Sequence, residues 1–119
     1  MSSPAPPEDE RARRIGLNES VFREVNERLQ ELANRFELRE EPLDLVCECG
    51  SIDCDERIRV SAADYERIRS EPTLFVVVPG HEVPDVEDIV RQGSGYDVVE
   101  KRAGVPESIA RETDPRDSS

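Results

Sequence analysis

The chain has 119 residues and a formal net charge of -12, with 35% hydrophobic residues, 4% aromatic residues and no tryptophan. This length allows one domain, and so few large apolar side chains allow only a small core, which a disulfide or metal often supplements. The acidic charge lies mainly on residues 18–101 and is interpreted as a source of solubility. Direct binding of DNA or RNA is disfavoured, because that affinity depends on Lys and Arg.

The sequence predicts a cytoplasmic protein. It contains no apolar run of the roughly 18 residues that a membrane span requires, and its start, MSSPAPPEDERARR, lacks the apolar segment of a secretion signal. In the reducing cytosol, an odd number of cysteines favours metal or redox chemistry over a disulfide framework.

The first part of the chain predicts an arm followed by a long helix. Residues 1–16 are rich in Pro, Ser and charge, which predicts a disordered N-terminal arm. From residue 18 to Phe36, apolar side chains recur at steps of three and four, which predicts an amphipathic helix. This apolar stripe consists of Val21, Phe22, Val25, Leu29, Leu32, Ala33 and Phe36. We expect it to pack on the protein's own core.

The same helix has a second possible use. Part of the stripe also fits a heptad seam, and its members are Phe22, Val25, Leu29, Leu32 and Phe36. Such a seam would pack against a partner helix or a second copy, and the protein would then be a weak dimer through the 18–36 helix rather than a monomer. Two heptads are short for a coiled coil, so packing on the protein's own core is the favoured interpretation.

The middle of the chain predicts two strands and a short helix. Beyond the breaker EEPLD, alternating residues predict short strands around Leu45 and Ile58, joined by a loop that carries the cysteines. Ser61 is predicted to cap a short helix whose inner face carries Tyr65 and Ile68.

The last third of the chain predicts two further strands. The apolar run at 74–78 is typical of a central strand covered on both faces, and residues 96–101 predict the last strand. Residues 84–92 predict a short helix that begins at a proline. The tail 104–119 is expected to be weakly structured, with one weak helical segment. Together these elements predict an α+β domain over 17–103, in which the long helix packs on a small, mainly antiparallel sheet.

All three cysteines lie in the stretch CECGSIDC, as Cys47, Cys49 and Cys54, and the only histidine, His81, follows in PGHE. Three thiolates and one imidazole form a common structural zinc site, because this borderline-soft ion binds both ligand types tetrahedrally. The sequence therefore predicts Zn²⁺ held by these four residues. Gly50 is expected to adopt a positive φ that lets the loop fold back.

Three other interpretations of these residues are weaker. The cysteines could be small buried hydrophobic residues, although chance burial would not gather all three beside a glycine. They could form a redox switch, but the carboxylates of Glu48, Asp53 and Asp55 would raise thiol pKa values. An open catalytic zinc site with Glu82 as general base is disfavoured, since three thiolates weaken the Lewis acidity of the ion. No catalytic residues are predicted.

Two functions remain open at this point. The first is a non-enzymatic regulatory or adaptor module that presents an acidic surface, the long helix or the tail to a protein partner. The second is a zinc-dependent thiol redox or metal sensor, in which oxidation or zinc depletion releases the fold.

Two resemblances accompany these predictions. CECG followed by a further cysteine resembles the zinc knuckle that follows the SET domain of lysine methyltransferases; it covers about eight residues and implies a metal knuckle alone. In that knuckle the fourth ligand comes from a distant part of the chain, which here implies His81.

A wider resemblance, from about Val21 to Arg116, is to a group of small acidic bacterial proteins without an assigned function. It is carried by the blocks FREVNERLQELA, CECG, DYERIRSEP, FVVVPGHE, YDVVEK and ARETDPR. It implies that CECG and PGHE belong to one unit, and it implies no activity.

Overall fold

The computed structural model describes residues 7–36 and 42–116 and confirms the α+β class. The helices are α1 (Pro7–Arg35), α2 (Ala62–Arg69) and α3 (Val105–Glu112). The strands are β1 (Pro42–Val46), β2 (Arg57–Ser61), β3 (Leu74–Val77), β4 (Glu87–Gln92) and β5 (Asp97–Lys101). Strands β1 and β2 form one antiparallel sheet, and β3, β5 and β4 form a second in that spatial order. Within residues 7–36 and 42–116, the helices lack the combination of length and hydropathy that a membrane span requires.

The predicted elements between residues 42 and 69 are confirmed. Leu45 and Ile58 face each other in the β1–β2 pair and are buried. The hydroxyl of Ser61 caps α2 and accepts a hydrogen bond from the backbone N–H of Asp64 at 3.1 Å. The inner face of α2 is formed by buried side chains, among them Tyr65. Local capping and alternation suffice to define these elements.

The predicted N-terminal arm is wrong for residues 7–16, which form the first turns of α1. Three acidic residues in its first turn complement the positive end of the helix dipole. Ala12 and Ile15 are buried and form a small cluster with Val86, so this part of the helix has a core contact that composition alone does not predict. Residues 1–6 of the predicted arm lie outside the described residues.

The face of α1 that packs on the protein is polar, so the predicted burial of the apolar stripe is wrong for most of its residues. Four members of the stripe are 43–66% exposed: Val21, Val25, Leu32 and Phe36. A second set with the same helical spacing is at most 7% exposed: Glu19, Arg23, Asn26, Glu27 and Gln30. Both sets satisfy the helical period, and the polar set is buried because other elements supply hydrogen-bond partners for it.

Arg23 is the largest of these buried polar side chains. Its guanidinium lies 4.4 Å from the centroid of the Phe75 ring and donates hydrogen bonds to the carbonyls of Pro72 (2.6 Å) and Ala110 (2.7 Å). A cation stacked on an aromatic ring and bonded to carbonyls is compensated for part of its lost hydration. Arg23 therefore connects α1 to β3 and α3.

Buried ion pairs attach α1 to the other elements. The Lys101 ammonium contacts the carboxylates of Glu19 and Glu87, the latter at 2.7 Å, and joins α1 to β4 and β5. Arg69 of α2 donates to Glu27 of α1 at 2.6 Å. Such groups are tolerated inside a protein only when each charge is paired.

Two predictions about the second sheet are wrong. Residues 87–92 form strand β4 rather than part of a helix, because backbone pairing with β5 and the β-branched pair Ile89 and Val90 favour the extended form. The central strand is β5, which lies in the predicted 96–101 segment, whereas β3 stands at the edge of the sheet. A buried apolar run does not reveal whether a strand is central, since other elements can cover an edge.

The C-terminal tail is more structured than predicted. Residues 105–112 form α3, and Ile109 and Ala110 are buried, so this part of the tail belongs to the domain. A proline in its first turn is compatible with helix initiation. Residues 117–119 lie outside the described residues.

We predict a large loss of stability for one arginine substitution on α1 and almost no change for another. Arg23→Ala should lower the free energy of unfolding by about 2–4 kcal/mol, because it removes buried hydrogen bonds and a stacked side chain. Arg13→Ala, on the exposed face of the same helix, should change it by less than about 0.5 kcal/mol. Urea unfolding followed by circular dichroism measures both; equal effects would contradict the orientation of α1.

Candidate metal centre

The four predicted ligands meet at one end of the two sheets. Their ligand atoms, three Sγ and one imidazole nitrogen, all lie within 4.8 Å of one another. His81 Nδ1 is 3.6 Å from Cys47 Sγ and 3.7 Å from Cys54 Sγ. In a tetrahedron with Zn–S near 2.3 Å and Zn–N near 2.05 Å, the N···S distance is about 3.6 Å. The cluster could therefore hold a metal ion with four protein ligands.

The turn after β3 positions the imidazole. The N–H of His81 donates to the carbonyl of Val78 at 2.9 Å, and Pro79 and Gly80 occupy the two central positions of the turn. Gly80 has a φ of 93°, a left-handed conformation that suits glycine at the second central position of such a turn. The PGHE sequence thus fixes the backbone of His81 beside the cysteine loop.

The start of the cysteine loop joins the two sheets. The N–H of Cys47 donates to the carbonyl of Glu56 at 3.1 Å, which continues the β1–β2 pairing. On the other side, the N–H of Glu48 donates to the carbonyl of Val76 at 2.8 Å, and the N–H of Val78 donates to Cys47 Sγ at 3.2 Å. The loop therefore covers the free edge of β3, and a backbone donor already faces one sulfur.

The three sulfurs differ in burial and in proton affinity. All three cysteines are free thiols; Cys47 and Cys49 are buried, whereas Cys54 is partly exposed. The hydrogen bond between Cys47 and Cys49 lowers the pKa of Cys49 to about 5 and raises the pKa of Cys47. Burial raises the pKa of Cys54. Crowded thiols share protons in this way, and a bound cation would replace those protons.

Helix α1 lies against this loop, and Gly50 makes the close approach possible. A Cβ atom on Gly50 would lie 2.5 Å from Cγ2 of Ile15, and Asn18 Nδ2 donates to the carbonyl of Gly50 at 3.0 Å. The predicted positive φ at Gly50 is wrong, because the glycines with positive φ are at positions 80, 95 and 104. The glycine is needed for space rather than for backbone conformation.

Glu48, between the two buried cysteines, turns away from the thiols and is fully buried. Its carboxylate accepts hydrogen bonds from Tyr65 Oη (2.6 Å), Asn26 Nδ2 (2.7 Å) and the N–H of Val76 (3.1 Å). Desolvation raises the pKa of Glu48, and the three donors oppose that rise. Since it is engaged with these donors, this carboxylate does not support the sequence argument that Glu48 suppresses thiolate formation.

Sequence reasoning missed the burial of Glu48 and its hydrogen bond with Asn26. The Asn26 amide also exchanges two hydrogen bonds of 2.9 Å with the backbone of Val46, so it occupies the free edge of β1. The only signal for Asn26 is its spacing from Arg23 and Gln30, which marks a second helical stripe. No local pattern distinguishes a buried Glu48 from an exposed one.

The structure thus brings together Cys47, Cys49, Cys54 and His81, and Glu82 is not a member of the cluster. No protein-family model, curated protein or solved structure matches this chain. The function is therefore inferred from the site itself.

We predict that Gly50→Ala destabilises the protein by about 1–3 kcal/mol, because the added methyl group overlaps Ile15. In an Ile15→Ala background the same substitution should cost less than about 0.5 kcal/mol, since the space is then open. Chemical unfolding of the wild type, the two single variants and the double variant measures the coupling. An unchanged cost in the second background would show that the clash is not the cause.

Proposed function

We propose that this chain is a small non-enzymatic zinc-binding protein whose Zn²⁺ is structural, and that it serves in the cytoplasm as a regulatory or adaptor module for a protein partner. The ligands would be Cys47, Cys49, Cys54 and His81. The supporting observation is that the His81 Nδ1 distances of 3.6 and 3.7 Å match the edge of a zinc-centred tetrahedron.

The donor set supports zinc over other common metals. Three sulfurs and one imidazole nitrogen offer no oxygen, which disfavours Ca²⁺ and Mg²⁺. A tetrahedral arrangement of thiolates and imidazole is typical of Zn²⁺, an ion without redox chemistry of its own.

The position of the cluster supports a structural role. Four protein ligands leave no coordination position for water or substrate. The cysteine loop connects β1 to β2, and His81 follows β3, so one ion would join the two sheets. Zinc affinities of about 10–16 kcal/mol in small domains exceed the stability of most domains, so the fold would depend on the metal.

An interaction role is supported by the surface. The net charge is -12, and large apolar side chains of α1 are exposed instead of buried. Contiguous exposed apolar residues commonly mark a surface that binds another protein.

The partial exposure of Cys54 supports a second candidate, a zinc-dependent redox sensor. Hydrogen peroxide would convert its thiolate to a sulfenate with release of water, and the ion would lose one ligand. Because the other two cysteines are buried, Cys54 would be the first to react.

The first test is the metal content of protein purified without chelator or a histidine-rich tag. We expect about one zinc per chain, and Cys49→Ser should remove it. Loss of a residue that only supports a metal ligand typically weakens metal binding by roughly 10- to 100-fold. His81→Ala should weaken zinc binding by more than this, because it removes a ligand. Glu82→Ala is the matched control and should retain full affinity. Unchanged zinc content in Cys49→Ser would contradict the proposed site.

Cobalt substitution tests the geometry of the same site. Co²⁺ in a tetrahedral site with three thiolates should give intense visible bands and a strong sulfur-to-metal band in the near ultraviolet. Loss of one thiolate in Cys54→Ser should reduce the charge-transfer band by about one third, because its intensity follows the number of Co–S bonds. A weak octahedral spectrum would contradict four-coordinate binding.

Peroxide separates the two candidate functions. For a structural site, zinc release at a low peroxide concentration should be no faster than global unfolding, because the bound thiolates are protected. A sensor would release zinc with peroxide much faster than the protein unfolds without peroxide. A zinc-binding dye measures zinc release with and without peroxide, and circular dichroism of the peroxide-free sample measures the rate of global unfolding.

A further inference from the structure

Helix α1 presents an apolar stripe to solvent on the side away from its buried polar face. Four of its large side chains and the neighbouring Leu17 are 42–66% exposed: Leu17, Val21, Val25, Leu32 and Phe36. A row of this length on one helix face is unusual for a surface without a partner. None of the described residues covers it.

A groove runs beside the C-terminal half of this stripe. It has a volume of about 250 Å³, which is enough space for a large apolar side chain. It is lined mainly by apolar residues of α1 and β1: Leu29, Leu32, Ala33, Phe36, Leu43 and Asp44. A helix that packs on the stripe would therefore have space to insert a large apolar side chain into this groove.

The charges along the other side of the stripe indicate what the partner is. Glu24, Arg28, Glu31 and Arg35 are exposed and alternate in sign along this flank. From Glu24 to Arg35 the charges are negative, positive, negative and positive, and in the reverse direction the order of the signs is inverted. If a second copy of α1 is placed antiparallel about an axis near residues 29–30, Glu24 faces Arg35 of the second copy, and Arg28 faces its Glu31.

Only the antiparallel arrangement produces this match. In an antiparallel helix pair each flank meets its own equivalent, whereas in a parallel pair it meets the opposite flank. On the opposite side of the stripe, Asn26 and the edge member Ala33 are buried against the protein. The flank is therefore complementary to itself in an isologous, two-fold arrangement.

We propose that two copies of this protein associate through α1 as an antiparallel, two-fold symmetric dimer. Leu29 then lies beside its equivalent near the axis, Val25 beside Leu32 of the second copy, and Phe22 beside Phe36 of the second copy. This inference deepens the interaction role proposed above, because it names a second copy of the chain as the partner of α1. It is independent of zinc binding, because none of these residues is a candidate ligand, so sedimentation and metal content fail separately.

The first experiment is sedimentation equilibrium of the full chain, purified with its metal, over a range of concentrations. We expect a reversible dimer, and Val25→Glu should raise its dissociation constant by roughly tenfold or more, because it places a charge in the apolar seam. Val90→Glu is the matched control, since it makes the same change at an exposed valine on β4 (52% exposed). It should leave the constant unchanged. A monomer up to about 1 mM would overturn the proposal, as would equal effects of the two variants.

A charge exchange tests the orientation. Two double variants are compared. The first carries Glu24→Arg and Glu31→Arg, which make the flank entirely basic. The second carries Arg28→Glu and Arg35→Glu, which make it entirely acidic. Each double variant should self-associate at least about tenfold more weakly. An equimolar mixture should restore the dimer as a heterodimer, detected by labelling one variant. Circular dichroism of each variant confirms that it is folded. Failure of the mixture to associate would overturn the antiparallel arrangement.

Discussion

The buried carboxylate of Glu48 is the constraint on which the rest of the structure depends. Burying an uncompensated carboxylate costs several kcal/mol, so its donors must be in place when the loop adopts its position. Those donors come from three elements: Asn26 from α1, Tyr65 from α2 and Val76 from β3. Because Glu48 stands between Cys47 and Cys49, the same contacts that satisfy it also place two sulfurs at the candidate metal centre.

This constraint also sets the orientation of α1. The helix supplies Asn26 to Glu48 and Asn18 to the carbonyl of Gly50, so its polar face must point toward the cysteine loop. The apolar stripe around Val25 is then left on the outside. The candidate metal centre and the proposed dimer surface are therefore related, because they use two faces of one helix.

The interior is unusually polar for a chain of this size, and composition explains why. With 4% aromatic residues and no tryptophan, few large apolar side chains are available, and long polar side chains occupy the remaining space. Arg23 stacks on Phe75, and Lys101 lies between Glu19 and Glu87. Buried ion pairs contribute little net stability. A bound zinc ion that joins the two sheets would offset this deficit.

Local sequence by itself determined the strand before the cysteines and the Ser61 cap, because each depends on spacing or turn chemistry within a few residues. The α+β class was predicted from the order of helices and strands, and the four residues that cluster were predicted from their ligand chemistry, since they are the three cysteines and the one histidine of the chain. Only the tertiary structure decided which face of α1 is buried, that residues 87–92 form a strand, and that Gly50 is required for its contact with Ile15. Two stripes of α1 share the helical period, and the choice between them depends on hydrogen-bond partners from distant parts of the chain. Those partners meet only when the sheets and helices have packed together.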